Sequence, residues 1–119
     1  MTILISAVMD LDPQNARKIL EEARPLIEDS LEEPGCEAYS WALDPFHPGR
    51  VHVFERWTDE QSLASHFKLP AYTEMRKQLR SCGPIKSSSR KYRVNHDEPV
   101  YDDTGTARAD FFTPTPQAE

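Results

Sequence analysis

His66 is the side chain in this sequence best suited to acid–base chemistry. It lies three residues after Leu63 and next to Phe67, so it borders the apolar stripe of a predicted helix. An imidazole in that position can accept a proton from a phenolic substrate, because histidine is the side chain most often used for acid–base catalysis. The alternative is a structural histidine that bonds to a strand side chain, such as Glu55, or to a backbone group. The sequence leaves both interpretations open.

Glu55 is the second candidate catalytic residue. Its neighbours on the same face of a predicted strand, Val53 and Trp57, are apolar, which places the carboxyl group on the inward side. An inward carboxylate must be paired or hydrogen-bonded, or its pKa must rise. Glu55 could therefore orient His66, or it could accept an ion pair from an arginine.

Four aromatic residues are candidates for binding a substrate. Two tryptophans offer flat apolar area with one N–H donor each, which suits stacking on a polycyclic aromatic molecule. A tyrosine in the second helix pair could donate a hydrogen bond to a substrate oxygen. A phenylalanine beside His66 could form part of the wall of a binding cavity. Large aromatic residues in strands are also common core residues. The four are Trp41, Trp57, Phe67 and Tyr72.

Several classes of function find no support in the composition. Residues 1–96 carry 13 basic and 14 acidic side chains, and no basic patch dense enough to follow a phosphate backbone is present. The remaining histidines and the two cysteines, Cys36 and Cys82, show no metal-ligand spacing, so no metal site is expected. No glycine-rich phosphate loop and no apolar run of membrane-span length occurs. With no secretion signal at Met1, we expect a cytoplasmic protein without nucleic-acid or membrane partners.

The elements that must position these residues follow the order strand–helix–strand–strand–helix–strand. Asp12 followed by Pro13 predicts a helix N-cap, and Pro25 predicts a kink or a break in the first helix. Thr58 or Asp59 is expected to cap the later helix. The Leu69-Pro70 step should then divide that helix. The predicted strands are 2–9, 36–43, 50–57 and 85–94. The first helical region begins at Pro13, carries its apolar stripe over 16–27 and ends before Pro34, and the later helices lie within 59–68 and 71–79.

The first strand is apolar on both of its alternating faces, with Ile3, Ile5 and Ala7 on one face and Leu4 and Val8 on the other. Such a strand needs cover on two sides. Helices supply one cover, and a second copy of the chain is the economical candidate for the other, so we expect a homodimer.

Three segments carry a resemblance to a known family. They are the run from Pro34 to Tyr39, the run from Val53 to Trp57, and the run from Ser62 to Phe67. Together they resemble the antibiotic biosynthesis monooxygenase (ABM) family, over roughly residues 2–96. The resemblance implies an α+β, ferredoxin-like βαββαβ domain with an antiparallel sheet. It also implies that two copies form a dimeric α/β barrel, each with a cavity between sheet and helices.

The resemblance also implies an activity. Members of this kind oxidise small aromatic, quinol or polyketide-type substrates with dioxygen as co-substrate and without a metal or a bound organic cofactor. His66 would act as base and Glu55 would orient it. The alternative is a non-catalytic, dimeric ligand-binding or accessory protein of the same fold. Haem degradation, a third activity of this fold, is disfavoured, because 2–9 lacks asparagine and 72–76 lacks histidine.

Residues 97–119 form a second compositional region. Six acidic residues and one arginine give this acidic C-terminal tail a net charge of −5, against −1 for the domain 1–96. The tail cannot form a core of its own. Two apolar pairs, Val100-Tyr101 and Phe111-Phe112, nevertheless favour docking on the partner subunit or over the mouth of a cavity.

Overall fold

The computed structural model of the protein describes residues 1–115 and contains eight regular elements in that range. The last four residues of the predicted tail lie outside the described residues. The elements are β1 (Thr2–Asp10), α1 (Ala16–Glu22), α2 (Arg24–Leu31), β2 (Cys36–Leu43), β3 (Arg50–Trp57), α3 (Glu60–Lys68), α4 (Pro70–Leu79) and β4 (Lys86–Val94).

The strands form one antiparallel sheet in the order β2-β3-β1-β4. The pairing register places Glu55 in the middle of the sheet, opposite Ile5 on one side and Tyr39 on the other. This arrangement confirms the predicted α+β, ferredoxin-like fold.

The helices cover one face of the sheet. Alternate strand residues point to this face, and Ala7, Val51 and Val53 pack there against Ile19 and Met75 in the main core cluster. A second cluster, which joins β1, β2, β3 and α3, consists of Ile3, Tyr39, Trp57 and Leu63.

The opposite face of the sheet, which we call the open face, is covered by none of the helices in residues 1–115. Leu4 and Val8 on β1 are half-buried there, while Phe54 on β3 and Tyr92 on β4 are 44% and 49% exposed. The apolar pattern of β1 is therefore covered on one side only within a single chain.

The helix boundaries agree with the sequence at three points and differ at one. Asp59 caps α3 by accepting a 2.7 Å hydrogen bond from the Ser62 amide, and Pro70 starts α4 directly after α3 ends. The first helix is divided as expected, with Pro25 in the first turn of α2. The prediction that Asp12 caps α1 is wrong. Its side chain accepts instead from the Asn15 side chain within a turn, and α1 begins at Ala16.

Gly35 lies in the turn between α2 and β2, at the point where the chain passes close to α3. Its φ is +85°, and its carbonyl oxygen accepts a 2.9 Å hydrogen bond from the Thr58 amide. A side chain here would place Cβ 2.5 Å from Ser62 Cβ and 2.8 Å from Thr58 Oγ1. Both the backbone conformation and the lack of space therefore require glycine.

We expect Gly35→Ala to lower the free energy of unfolding by about 1–3 kcal/mol, because it adds backbone strain at positive φ and a clash with α3. Urea denaturation measures the change. Gly83→Ala is the matched control, since Gly83 also has a positive φ but no atom within 4 Å of the added Cβ. Equal losses in the two variants would show that the clash contributes nothing.

Candidate functional site

A cleft of about 260 Å³ lies between the sheet and α4. Its wall includes two aromatic residues from β2, the central carboxylate of β3, the histidine of α3 and two residues of α4. These are Tyr39, Trp41, Glu55, His66, Tyr72 and Arg76. The cleft thus brings together four of the six residues that the sequence singles out.

His66 reaches this cleft from a buried position with a charged partner. The residue is 2% exposed, and its Nδ1 lies 2.8 Å from Glu33 Oε1, whose side chain is 9% exposed. A carboxylate at this distance favours the tautomer with the proton on Nδ1, which leaves a lone pair on Nε2. No hydrogen bond to Nε2 occurs within residues 1–115, so this nitrogen is the one left for a ligand in the cleft.

Four aromatic rings hold the imidazole of His66 in place. The ring centroids of Trp57, Tyr72, Tyr39 and Phe67 lie 4.7, 5.5, 5.7 and 5.8 Å from that of His66. Two of these contacts, those with Tyr39 and Tyr72, are edge-to-face, a geometry that aromatic pairs prefer. The ring therefore has a defined orientation, with Glu33 on one side and the cleft on the other.

No local pattern singles out Glu33, because it stands in an acidic run that is typical of a solvated helix end. Glu28, Asp29 and Glu32 precede it, and it is separated from His66 by 33 residues. The turn at Pro34-Gly35 folds it back, with its own amide hydrogen-bonded to the Ser30 carbonyl. Only this reversal of the chain direction places its carboxylate beside α3.

Glu55 is buried, with 9% of its surface exposed, and its Oε1 accepts a 3.0 Å hydrogen bond from Trp57 Nε1. Burial raises its pKa above the ordinary value, and the Glu33 carboxylate adds to the rise, while the Trp57 hydrogen bond and His66 oppose it. Glu55 is hydrogen-bonded to Trp57, whereas the sequence suggested His66 or an arginine. Glu33 takes the place beside His66.

Two of the four aromatic candidates lie outside the wall of this cleft. Trp57 is 0% exposed and packs behind His66, because Leu63 and Ile3 cover it at the end of the sheet. Phe67 is 46% exposed and lines a separate groove, since it lies one residue along α3 from His66 and so points about 100° away. In this structure Trp57 and Phe67 support the histidine, and Trp41 and Tyr72 are available to a ligand.

Tyr39 and Trp41 give the cleft neutral hydrogen-bond donors. Burial raises the pKa of the Tyr39 phenol far above its ordinary value, and Glu55 adds to the rise, so the hydroxyl keeps its proton. The Trp41 Nε1–H is buried and has no hydrogen-bond acceptor among the described residues. A buried donor of this kind calls for an acceptor on a ligand or a water molecule. Tyr39 is not among the aromatic candidates that the sequence singles out.

Residues 1–115 offer neither a metal-binding cluster nor a membrane-spanning helix. No group of three His, Cys, Asp or Glu side chains in that range could hold a metal ion. Among the same residues, no helix combines the length and the apolar character needed to cross a membrane.

Known proteins resemble this chain in sequence and in fold. Residues 2–78 match the sequence model of the family described as "Antibiotic biosynthesis monooxygenase". The uncharacterized protein sll1783 of Synechocystis sp. is 28% identical over 72 residues, which are 60% of this chain and 49% of that protein. The chain therefore matches about half the length of this curated relative.

Two solved structures share the fold. A conserved protein from Methanosarcina mazei Go1 has a TM-score of 0.70 and 26% identity, covering 78% of this chain and 92% of its own. A structure described as an antibiotic biosynthesis monooxygenase has a TM-score of 0.69 and 22% identity, covering 77% and 97%. Because the family's sequence model matches well over half of its residues, the chain belongs to the antibiotic biosynthesis monooxygenase family.

Proposed function

We propose that this protein is a monooxygenase that oxidises a small phenolic, quinol or polyketide-type aromatic with dioxygen, without a metal or a bound organic cofactor. The observation that carries the proposal is the buried Glu33–His66 pair, whose free imidazole nitrogen lies at an aromatic-lined cleft. Membership of the family supports the same class of reaction.

The first step is removal of the phenolic proton by Nε2 of His66. The imidazole becomes an imidazolium, and Glu33 stabilises the new charge through the 2.8 Å contact at Nδ1. The substrate becomes an electron-rich phenolate. Its oxygen is stabilised by neutral donors of the cleft, for which the Tyr39 hydroxyl and the Trp41 indole N–H are the candidates.

The substrate anion then supplies the electrons. One electron passes to dioxygen, and the resulting substrate radical and superoxide combine to form a C–O bond and a peroxide anion. A proton returned to the distal oxygen allows the O–O bond to break, and the ring carbon loses its hydrogen as a proton. The balance is phenol plus dioxygen to quinone plus water, so no further reductant enters.

The size of the cleft favours small substrates. Its volume of about 260 Å³ lies just under the range of about 300–1,000 Å³ that is usual for ligand pockets. Trp41 and Tyr72 provide flat walls at which one or two fused rings could stack. Quinols and naphthols are therefore the substrates to try first.

We expect His66→Asn to lower kcat/KM by roughly 10²–10⁴-fold, because the general base is lost. Oxygen uptake on adding quinols or naphthols under air measures it. His47→Asn is the matched control, since His47 is half exposed in the loop between β2 and β3, outside the cleft and the open face. Equal activity in the folded His66 variant and the control would contradict the role of His66. Binding without oxygen uptake in the unaltered protein would favour a non-catalytic ligand-binding function.

Glu55 provides a test that does not need a substrate. Its pKa is raised in the folded protein, so the folded state holds the proton more tightly than the unfolded state does. The carboxyl group is neutral in both states below its unfolded pKa. Stability is lost as the pH rises through the folded pKa, because ionisation is then easier in the unfolded chain.

We therefore expect Glu55→Gln to gain stability relative to the unaltered protein as the pH rises from acidic to neutral. The glutamine keeps an oxygen that can accept the Trp57 hydrogen bond, so the variant removes the charge alone. Urea denaturation of both proteins across this pH range measures the difference in unfolding free energy. A difference that stays constant with pH, or that falls, would show that Glu55 is not held protonated by the fold.

We also propose that the protein works as a homodimer through the open face. Leu4, Val8, Phe54 and Tyr92 give that face an apolar centre, which the helices of the same chain leave uncovered. A second sheet packed face to face would bury it. This arrangement is the one that the family resemblance implies.

Phe54→Asp should raise the dimer dissociation constant by about tenfold or more, because it puts a charge at the centre of an apolar interface. Sedimentation equilibrium at micromolar concentration and neutral pH measures the change. Phe46→Asp is the control, since Phe46 is 93% exposed in the β2–β3 loop. A monomer in the unaltered protein under these conditions would contradict the dimer.

A further inference from the structure

Residues 96–113, which we call the C-terminal arm, are organised around one buried carboxylate. Glu98 has a side chain only 6% exposed and accepts hydrogen bonds from the Phe112 amide at 3.0 Å and from the Thr113 amide at 2.9 Å. Burial raises its pKa, but these hydrogen bonds outweigh burial and hold the pKa below its ordinary value. The arm thus has a defined shape although it lacks an apolar core.

A tight turn completes the arm. The Asp102 carboxylate accepts hydrogen bonds from the amides of Thr104 and Thr106, and Tyr101 pairs with Ala107 across the turn. In the described part of the chain, the hydrogen bonds of 98–113 have both partners within 96–113. Only Asp97, near the base of the arm, reaches the domain, through a 3.2 Å contact with Arg56.

The arm displays apolar side chains that the described residues leave largely exposed. Val100, Tyr101 and Phe111 are 61%, 63% and 67% exposed. An ordered segment that presents three large apolar residues to water is typical of a docking element. Its charge restricts the partner, because five acidic residues and one arginine give the arm a net charge of −4.

A complementary surface lies on the same molecule. The α3–β4 groove, of about 450 Å³, runs between α3 and the edge strand β4. Its apolar lining includes Ile3, Leu63 and Phe67, of which Phe67 is 46% exposed, and Lys91 and Arg93 stand on its β4 side. Arg93 already has a partner in its own chain, because its guanidinium lies 2.9 Å from the Glu60 carboxylate. The groove therefore suits an apolar segment that also carries acidic groups.

We propose that the C-terminal arm of one copy docks in the α3–β4 groove of a second copy. Among residues 1–115, no ring contact joins Tyr101 or Phe111 of the arm to Phe67 of the groove, and all three stay exposed. A reciprocal exchange in a two-fold dimer covers both sets at once. The acidic arm then lies beside Lys91 and Arg93.

Docking in this groove also bears on the cleft. Phe67 lines the groove with one face and contacts the ring of His66, at a centroid distance of 5.8 Å. The partner's arm would cover Phe67 and so restrict its movement. The proposal does not depend on the reaction, since it rests on surfaces outside the cleft.

Mixed cross-linking tests the exchange in the full-length protein. One variant carries Tyr101→Cys and the other Ala64→Cys, which lies on the groove, both with Cys36 and Cys82 replaced by serine. We expect a short bismaleimide to link the two proteins after mixing, giving a covalent dimer in denaturing gels. Phe46→Cys replaces Tyr101→Cys in the control, and it should give at least about tenfold less product, because Phe46 lies in the β2–β3 loop.

A double variant that carries both Tyr101→Cys and Ala64→Cys in one chain distinguishes exchange between two copies from docking of the arm in its own groove. If the arm folds onto its own groove, the double variant will form an internal link at monomer mass in dilute protein, and the proposal is overturned. Failure of the mixed pair to exceed the Phe46 control also overturns it.

A second measurement uses no cysteine. Tyr101→Ser together with Phe111→Ser should raise the dimer dissociation constant by about tenfold or more, and Lys91→Glu should act in the same direction. Dimer affinity unchanged in both variants, compared with Phe46→Ser, would overturn the exchange. It would do so even if the open face holds a dimer together.

Discussion

The alternation of side chains along the paired strands β1 and β3 is the constraint on which the rest of the structure depends. Because β1 lies between β3 and β4, its register decides which residues of both neighbours face the helices. A shift by one residue would move Val53, Glu55 and Trp57 to the open face and remove both the core and the site. The site is therefore inseparable from the packing that stabilises the domain.

The polar groups of the site are sustained by partners within this packing. Burying an ionisable group without a partner is costly, and His66, Glu33 and Glu55 each have one: Glu33 bonds to His66, and Trp57 donates to Glu55. The remaining buried donor, Trp41 Nε1, has no acceptor in the described residues and lies on the wall of the cleft. The hydrogen-bonded groups thus hold the geometry of the site, and the Trp41 N–H is a donor that is available to a ligand in the cleft.

Three surfaces of the single chain expose large apolar side chains: the open face, the C-terminal arm and the α3–β4 groove. A domain of this size leaves much of its surface unburied, which makes association with a second copy favourable. The arm is acidic and the groove carries Lys91 and Arg93. Electrostatic attraction would therefore favour one orientation of the proposed contact, which apolar packing alone does not select. The proposed self-association would be linked to the cleft through Phe67, which lines the groove and contacts the ring of His66.

The sequence by itself determined the helices and strands of this protein, because the residue patterns that produce them span only a few neighbouring positions. Alternating residues predicted the strands, Asp59 and Pro70 marked where α3 and α4 begin, and the spacing around Leu63 placed His66 at a buried face. The family resemblance added the ferredoxin-like βαββαβ arrangement with an antiparallel sheet. The Asp12 cap failed because the side chain of Asn15, in the same turn, competes for its carboxylate.

Only the tertiary structure decided the partners. Glu33 meets His66 across 33 residues, Trp57 turns to Glu55 and leaves the cleft wall, and Phe67 faces a different groove from its neighbour. These outcomes depend on the angle at which α3 crosses the sheet and on the turn at Gly35. Both are set by the packing of distant segments, and no local pattern of residue types encodes such distances.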